Sequence, residues 1–493
     1  MVDRDLLLSL CPALRTALIR CRYDLDTVRE LLGPEAHAAL GRSEPVPARR
    51  IARGAGDLGV LVRLFLLQDT CPEDEVAQAL APLTTEQAVQ AGLVERDGDG
   101  VRAALDLRPL DAGTGSRWVL SDLDGSIRPV PTRPDHVLGV GQASLSLLQA
   151  TPTDRVGSVL DLGTGCGVQA IRAADHADEV TATDINPRCL TLAAASAALN
   201  EIDIDLLEGS WFEPVAGRTF DRIVANPPFV VSAGRVEHSY RDSGLDLDGA
   251  SRLMISQAAE HLNPGGTAAM LASWVHVEGE DWRARVASWL PSHGVDAWIV
   301  QRDVADPALY VGTWLRDGDA DQREPEVAVR AEQWLDHFEE HGVEGVGFGF
   351  VYLRRTDLPS DVMAEDLRHA FTDALGDEAV DYFRRLDWLR THEVLDARFA
   401  VRPDTALERV HLPGEDGWDQ VVVRVHRGGG PAWQHEVDDL AAALLGGMRA
   451  DGLPLGDLVS LLAAAHGEDE DDLLTQSVGL VHGLVRHGLI EPV

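Results

Sequence analysis

The sequence contains no lysine: its 43 Lys/Arg positions are all arginine. That absence excludes Schiff-base catalysis through a lysine amine and the lysine of a P-loop nucleotide site. Cysteine is scarce as well. The five present, Cys11, Cys21, Cys71, Cys166 and Cys189, are odd in number and include no Cys-x-x-Cys pair. Neither a disulfide framework nor a zinc cluster is indicated, and a reducing, intracellular setting is expected. No run approaches the roughly 18 apolar residues of a membrane span. The stretch Met1-Val2-Asp3-Arg4-Asp5 also lacks the basic flank and apolar core of a secretory signal. A cytoplasmic location without a membrane partner follows as an expectation. Positive charge is short overall, since 43 bases face 81 acids for a net charge of −38. Such a chain repels long nucleic acid at a distance, so duplex DNA is disfavoured as a partner, although local arginine clusters can override this near a site.

What is present fits a globular protein of 493 residues, 45% hydrophobic and 25% charged, for which about three domains are expected at about 150 residues each. The first, residues 1–115, is mostly helical: Asp5 to Ile19, Asp26 to Leu40 and Gly59 to Leu67 carry apolar residues at helical spacing, with a Pro-rich break at Glu44 to Ala48. Its end, Cys71 to Leu110, reads as two short helices, a strand, an Asp-Gly turn and a second strand. That is a winged-helix-like order without the basic recognition helix of a DNA reader, so packing or substrate positioning is its expected use. Residues 357–493 form a C-terminal accessory α+β domain. Its amphipathic helices and Gly-Leu-Ile-Glu-Pro exit again look winged-helix-like. The acidic run Glu468 to Asp472 reads as a solvated helix start, and no metal site is expected.

Between these flanks, residues 116–356 alternate strands with helices. Gly157 to Ala174, Glu179 to Asn200, Ile204 to Glu208, Phe220 to Ala225, Ser251 to His261 and Gly266 to Trp274 repeat strand, turn and helix. The pattern demands a parallel sheet with right-handed crossovers, a doubly wound Rossmann-like α/β domain whose ligand lies at the carboxyl ends of the strands. Further on, a helix at Asp281 to Leu290 and strands at Val295 to Gln301 and Gly345 to Arg355 are expected, with an acidic insert from Arg316 to His341 between the strands.

The strand ends carry the informative residues. Asp161-Leu162-Gly163-Thr164-Gly165-Cys166-Gly167 is a glycine-rich turn that brings backbone amides close to a ligand ahead of a helix N-terminus. Its G-x-G-x-G spacing, with Val168 where a dinucleotide fingerprint has glycine, disfavours a pyrophosphate cofactor. The second strand ends in Asp184-Ile185-Asn186, where a carboxylate can accept both hydroxyls of a ribose or can serve as a helix cap. The third ends in Ser210-Trp211, a hydroxyl and a ring beside which an adenine can lie. The fourth ends in Asn226-Pro227-Pro228-Phe229, where two prolines stop strand pairing and fix the backbone direction.

The succession DLGTGCG, ATDIN, EGSWFEP and NPPF resembles the class I S-adenosylmethionine-dependent methyltransferases. It is most similar to the branch that methylates planar nitrogen, which includes the release-factor glutamine, ribosomal RNA guanine-N2 and adenine-N6 enzymes. The resemblance spans residues 156–274. It implies that Asp161, Gly163, Thr164, Gly165, Cys166 and Gly167 embrace the methionine end of S-adenosyl-L-methionine, that Asp184, with Ile185 and Asn186 beside it, holds the ribose, and that Ser210 and Trp211 flank the adenine. Asp135 to Ser144 occupies the place of a cofactor-flanking segment.

An exocyclic amine or carboxamide nitrogen is a weak nucleophile, because its lone pair is delocalised. Acceptors that take its N–H groups relieve the charge that builds up during attack on a methyl donor. Asn226 offers a side-chain carbonyl and Pro227 a backbone carbonyl, Pro227 and Pro228 keep both aimed, and Phe229 presents a face for a flat substrate. No strong general base is required. Glutamine enzymes of this branch typically carry NPPY and guanine-N2 enzymes NPPF, so the substrate stays open between RNA and protein. The following stretch offers Arg235, Arg241 and Arg252 to a phosphate or main-chain carbonyl, or is a helix approach capped by Asp248 or Ser251; His136 and His238 are placed to accept a proton but read rather as ordinary surface or core residues. The alternatives are a small-molecule methyltransferase of specialised metabolism and an inactive binding module of the same fold.

Overall fold

Val159, Leu160 and Leu162 are all buried, without the alternation of a half-exposed strand. That is the signature of a strand covered on both faces. In the computed structural model, which describes residues 2–111, 115–128, 133–233, 242–317, 324–371, 374–415 and 417–493, they form the centre of an eight-stranded sheet. Its strands are β1 (Val156–Leu162), β2 (Ala177–Asp184), β3 (Asp205–Glu208), β4 (Phe220–Ala225), β5 (Leu262–Val277), β6 (His293–Ala305), β7 (Val343–Pro359) and β8 (Val362–Asp366). They run in the order β8-β6-β7-β5-β4-β1-β2-β3. The β3-β2-β1-β4-β5 half is parallel, and β7 enters antiparallel to both β5 and β6. The expected doubly wound α/β fold is therefore present, with a mixed sheet. Strand order reverses at β1 and β4, the switch point where an open α/β sheet leaves a crevice.

The helices that matter are α1 (Arg4–Arg20), α2 (Gln142–Ala150), α3 (Val168–Ala173), α4 (Pro187–Leu199), α5 (Gly249–Ala258), α6 (Pro307–Asp317) and α7 (Pro325–Glu340). Helix α4 starts where it does because Asn186 caps it, its side chain accepting from the Arg188 amide at 2.9 Å, and Pro187 supplies a first-turn φ.

By internal packing the chain divides into two compact units, Met1–Leu148 with Thr153–Asp366, and Gln149–Pro152 with Leu367–Val493. Two expectations about boundaries change here. The N-terminal helices share one hydrophobic core with the helices that follow β1 and β2: Leu7, Cys11, Leu14 and Leu18 of α1 belong to the same cluster as Leu192, Ala195 and Leu199 of α4. Polar contacts reinforce this packing. The Arg15 guanidinium donates to the Leu199 carbonyl at 3.1 Å, and Asn200 accepts from the Trp118 amide at 2.9 Å while donating to the Trp118 carbonyl at 2.7 Å. At the other end, Asp357 falls inside β7, and β8 pairs with β6 in the main sheet, so the sheet continues to Asp366.

Strands β5 and β7 are longer than their apolar runs suggest because they pair with each other from Thr267↔Arg354 to Val277↔Val343. Most of the acidic insert, from residue 325 onward, is helix α7. Helices α6 and α7 bury Tyr310, Val311, Val327 and Phe338 against Val230 and Val231, and acids occupy the outer face.

The second unit contains the helix Leu375–Thr391, a hairpin of Thr405–Gly414 and Gly417–Arg427, three further helices, and a last strand Ile490–Pro492 paired with Phe399–Val401. Within it, Glu378 is buried between Arg385 and Arg427. Among the described residues no helix is long and apolar enough to cross a membrane.

Candidate active site

The turn after β1 takes its shape from three glycines in the left-handed region: Gly163 at φ +74°, Gly165 at +56° and Gly167 at +87°. At Gly167 space is also short, since a Cβ there would lie 3.2 Å from Ala193, whereas one on Gly163 would make an ordinary contact of 3.6 Å with Pro227 Cα. The turn is tied to β2 by its amides, since Gly163 and Thr164 both donate to the Thr183 carbonyl, at 3.0 and 2.9 Å.

Beneath it, the carboxylate of Asp161 accepts from the Thr164 hydroxyl at 2.6 Å and the Ala170 amide at 3.0 Å. Asp161 thus braces the turn from below and does not line the cleft above it. Burial pushes its carboxyl up to about 7 against these two hydrogen bonds, with nearby Asp184 adding to the rise. A carboxyl raised in the folded state stabilises the fold fully below the unfolded value of 3.8, and that contribution is lost as pH rises through about 7. We therefore expect denaturant midpoints of the Asp161→Asn variant to gain on the native chain as pH rises from 4 to 8. Parallel profiles would show that this carboxyl does not titrate as described.

The carboxylate of Asp184 accepts from the Gly165 amide and from the Asn186 amide, both at 2.9 Å. Burial raises its affinity for a proton. Asn186 is the cap of α4, and its side-chain NH₂ donates to the Asp135 carbonyl at 3.2 Å. Asp122 completes this tie by accepting from the Val137 amide at 2.9 Å and from Arg188 Nε at 3.0 Å. The segment from His136 to Ser144 is thereby held along the cleft. Burial pushes the Cys166 thiol up to about 12 and raises that of Cys189, so neither is a ready thiolate.

At the tip of β3, Trp211 has φ +48°, unusual for a bulky residue, and it packs partly against the core under β3 and β4. At the tip of β4, Asn226 Nδ2 donates to the Ser144 hydroxyl of α2 at 3.3 Å. Its Oδ1 makes no hydrogen bond to another described residue. The chain beyond is clamped. Phe229 C=O accepts from Ser273 Oγ at 2.6 Å, the Val231 amide donates to Tyr310 Oη at 2.8 Å, and the Val231 carbonyl accepts from Trp334 Nε1 at 3.1 Å. The Phe229 ring is tilted at 41° against Phe348, with centroids 5.4 Å apart.

These tips surround one cleft of about 480 Å³, within the roughly 300–1,000 Å³ of small-molecule sites. Gly163, Thr164, Gly165, Cys166, Asp184, Ile185, Ser210, Trp211 and the whole Asn226–Phe229 motif line it, whereas Asp161, Gly167 and Asn186 support it from outside. The cleft is not filled by side chains, and a Cβ at Gly165 would meet no atom within 4 Å. The donor set suits a nucleoside joined to a charged group: backbone amides at the turn, a carboxylate at β2, a hydroxyl at β3, and the apolar faces of Trp211, Leu138 and Ile185, the last 61% exposed.

Sequence reasoning missed Gln169, Asp242, Ser243 and Trp314, which also line the cleft, as does His136, while Ser144 comes from the expected cofactor-flanking segment. For Trp314 a signal existed in the Tyr310/Trp314 spacing on α6. Arg252 lies on α5, and Arg235, His238 and Arg241 lie outside the described residues.

The model of the methyltransferase small domain matches residues 138–275, and two models of domains of unknown function, DUF7059 and DUF7782, match residues 20–104 and 380–492. Over 122 residues the chain is 39% identical to the release factor glutamine methyltransferase of Deinococcus radiodurans, covering 22% of this chain and 42% of that protein. It is 33% identical over 137 residues to the ribosomal RNA small subunit methyltransferase C of Salmonella arizonae, covering 27% of this chain and 36% of that one. These matches span less than half the length of either relative. A longer match, 31% identity over 238 residues, covers 46% of this chain and 80% of the release factor glutamine methyltransferase of Xylella fastidiosa. With four motif-bearing strand tips around one cleft and a relative matched over most of its length, the chain belongs to the class I S-adenosylmethionine-dependent methyltransferases, in the branch that holds the release factor glutamine and small-subunit ribosomal RNA enzymes.

Proposed function

We propose that the chain is an N-methyltransferase acting on a planar amide or amino nitrogen of a macromolecule of the translation apparatus, either a nucleobase of RNA or a glutamine of a protein. The observation that carries this reading is Asn226, whose Nδ2 is held by Ser144 on the wall of the same cleft as the glycine turn. S-adenosylmethionine, when bound there, supplies an electrophilic methyl group. The turn amides and Asp184 would hold it, with Trp211 and Ile185 against its base. Asn226 Oδ1 and the Pro227 carbonyl would accept from the N–H groups of the incoming nitrogen, so that it attacks in line with its growing charge relieved. Phe229, backed by Phe348, would present its ring to the flat acceptor.

The flanks would select the substrate. In the first, helices Glu73–Leu80 and Thr85–Gln90 precede a hairpin of Val94–Asp97 and Gly100–Ala103, with Cys71–Pro72 as third strand. That order supports the winged-helix-like reading, as do the helices Leu455–His466 and Glu470–Arg486 before Ile490–Pro492 in the second. A cytoplasmic location is part of the proposal.

The test is transfer of a tritiated methyl group from labelled S-adenosylmethionine into a cell extract separated into RNA, protein and small molecules. Label is expected in the RNA or protein fraction. Counts confined to small molecules would instead support a specialised-metabolism enzyme, and no transfer together with no cofactor binding would support an inactive module.

A further inference from the structure

A second constellation of ligating groups lies away from the cleft. Asp246, His337 and His341 each place one ligand atom within 4.8 Å of the other two. His337 is on the last turn of α7, and His341 is the residue that ends the helix. Their i, i+4 spacing sets both rings on one face, 4.4 Å apart between centroids. Asp246 comes from a short strand, Asp246–Leu247, that pairs with Ser232–Ala233, and its Oδ1 lies 2.8 Å from His337 Nε2. We propose that these three side chains bind a divalent transition cation of the zinc type.

Five features support this. Two imidazoles and a carboxylate are a borderline donor set matched to zinc and its neighbours, and three protein ligands leave a fourth position for water. His341 Nδ1 faces the His337 carbonyl at 2.8 Å. A ring nitrogen bound to a backbone carbonyl is the outer support that fixes the tautomer of a metal-ligating histidine and leaves Nε2 with its lone pair. The backbones are already held: Phe338 is buried in the core beside His337, and Trp334, one turn earlier, donates to the Val231 carbonyl. Asp246 and His341 are exposed, so their side chains can turn to open the 2.8 Å contact between Asp246 and His337 and to draw the other separations, all within 4.8 Å, to the roughly 3.4 Å between ligands of a tetrahedral ion with bonds near 2.1 Å. The net charge of the whole chain, −38, concentrates cations near its surface.

Sequence spacing conceals the group, because Asp246 and His337 are 91 positions apart. An ion bound there would cross-link α7 to the strand that pairs with Ser232–Ala233, just past the segment leaving Asn226–Phe229.

The full-length chain should be titrated with Zn²⁺ in competition with a chromophoric chelator, beside the His341→Ala and Asp246→Asn/His341→Ala variants. Far-UV circular dichroism melts should be recorded without metal. The native chain is expected to take up one Zn²⁺ that excess Mg²⁺ does not displace. Each variant should weaken that uptake by at least roughly 10-fold, with melts unchanged because both substituted side chains are exposed. Co²⁺ should give a visible absorption band typical of four-coordination that the double variant lacks. Equal Zn²⁺ uptake by native chain and double variant, or no uptake by either, would overturn the proposal.

Discussion

Replacing Asn226 by alanine is expected to lower methyl transfer by roughly 10²–10³-fold, the scale for losing one preorganised polar group at a reacting centre. Affinity for S-adenosylmethionine should stay within about threefold, because the interaction removed is made to the attacking nitrogen. Single-turnover transfer and calorimetric cofactor binding measure the two effects separately. The structure adds a graded companion. Ser144 contacts Asn226 through Nδ2 at 3.3 Å, so Ser144→Ala should free the amide to rotate and cost about 10-fold in kcat, through misplacement alone. Ser144→Thr keeps the hydroxyl and should recover most of the rate. If Asn226→Ala transfers methyl groups at the native rate, the assignment of the acceptor at β4 is wrong. If only Ser144→Ala is silent, the anchor is dispensable but the acceptor stands.

The second large effect concerns Asp184. Its alanine variant is expected to bind S-adenosylmethionine at least roughly 100-fold more weakly, since hydrogen bonds to a charged group contribute about 1.5–3 kcal/mol each. Two losses combine in this variant. A ligand's hydroxyls lose their acceptor, and the amides of Gly165 and Asn186 lose the carboxylate that fixes the turn. Asp184→Asn retains one acceptor oxygen and should fall between native and alanine. Calorimetry reads the affinity, and a melt of each variant separates a damaged site from a damaged fold. Native affinity in Asp184→Ala would remove this carboxylate from the cofactor site.

The two predictions rest on features that differ in how far the sequence reveals them. The glycine turn is legible because its requirement is local: Gly163, Gly165 and Gly167 all sit at positive φ, which other residues adopt at a cost. The end of β4 is legible for a similar reason, as Pro227 and Pro228 cannot extend a ladder. The role of Asp161 is not, because a motif gives its position but not the direction of its side chain, which turns below the turn to Thr164 and Ala170. Ser144 and Trp314 reach the cleft from helices 82 residues before Asn226 and well after it, and only tertiary packing brings them together. The extents of β5 and β7 likewise come from their mutual pairing. The boundaries shifted because burial, which defines a compact unit, is shared between residues far apart in the chain, such as Cys11 and Ala195.

That last contact limits how such a protein can be cut or recombined. Helix α4 is built largely from alanine and leucine, and its Leu192, Ala195 and Leu199 join the core to which α1 contributes. A fragment beginning at β1 would present this oily flank to water and tend to self-associate. A chimera that transplants the sheet with α4 therefore needs the leading helix, or an equivalent apolar lining, beside it.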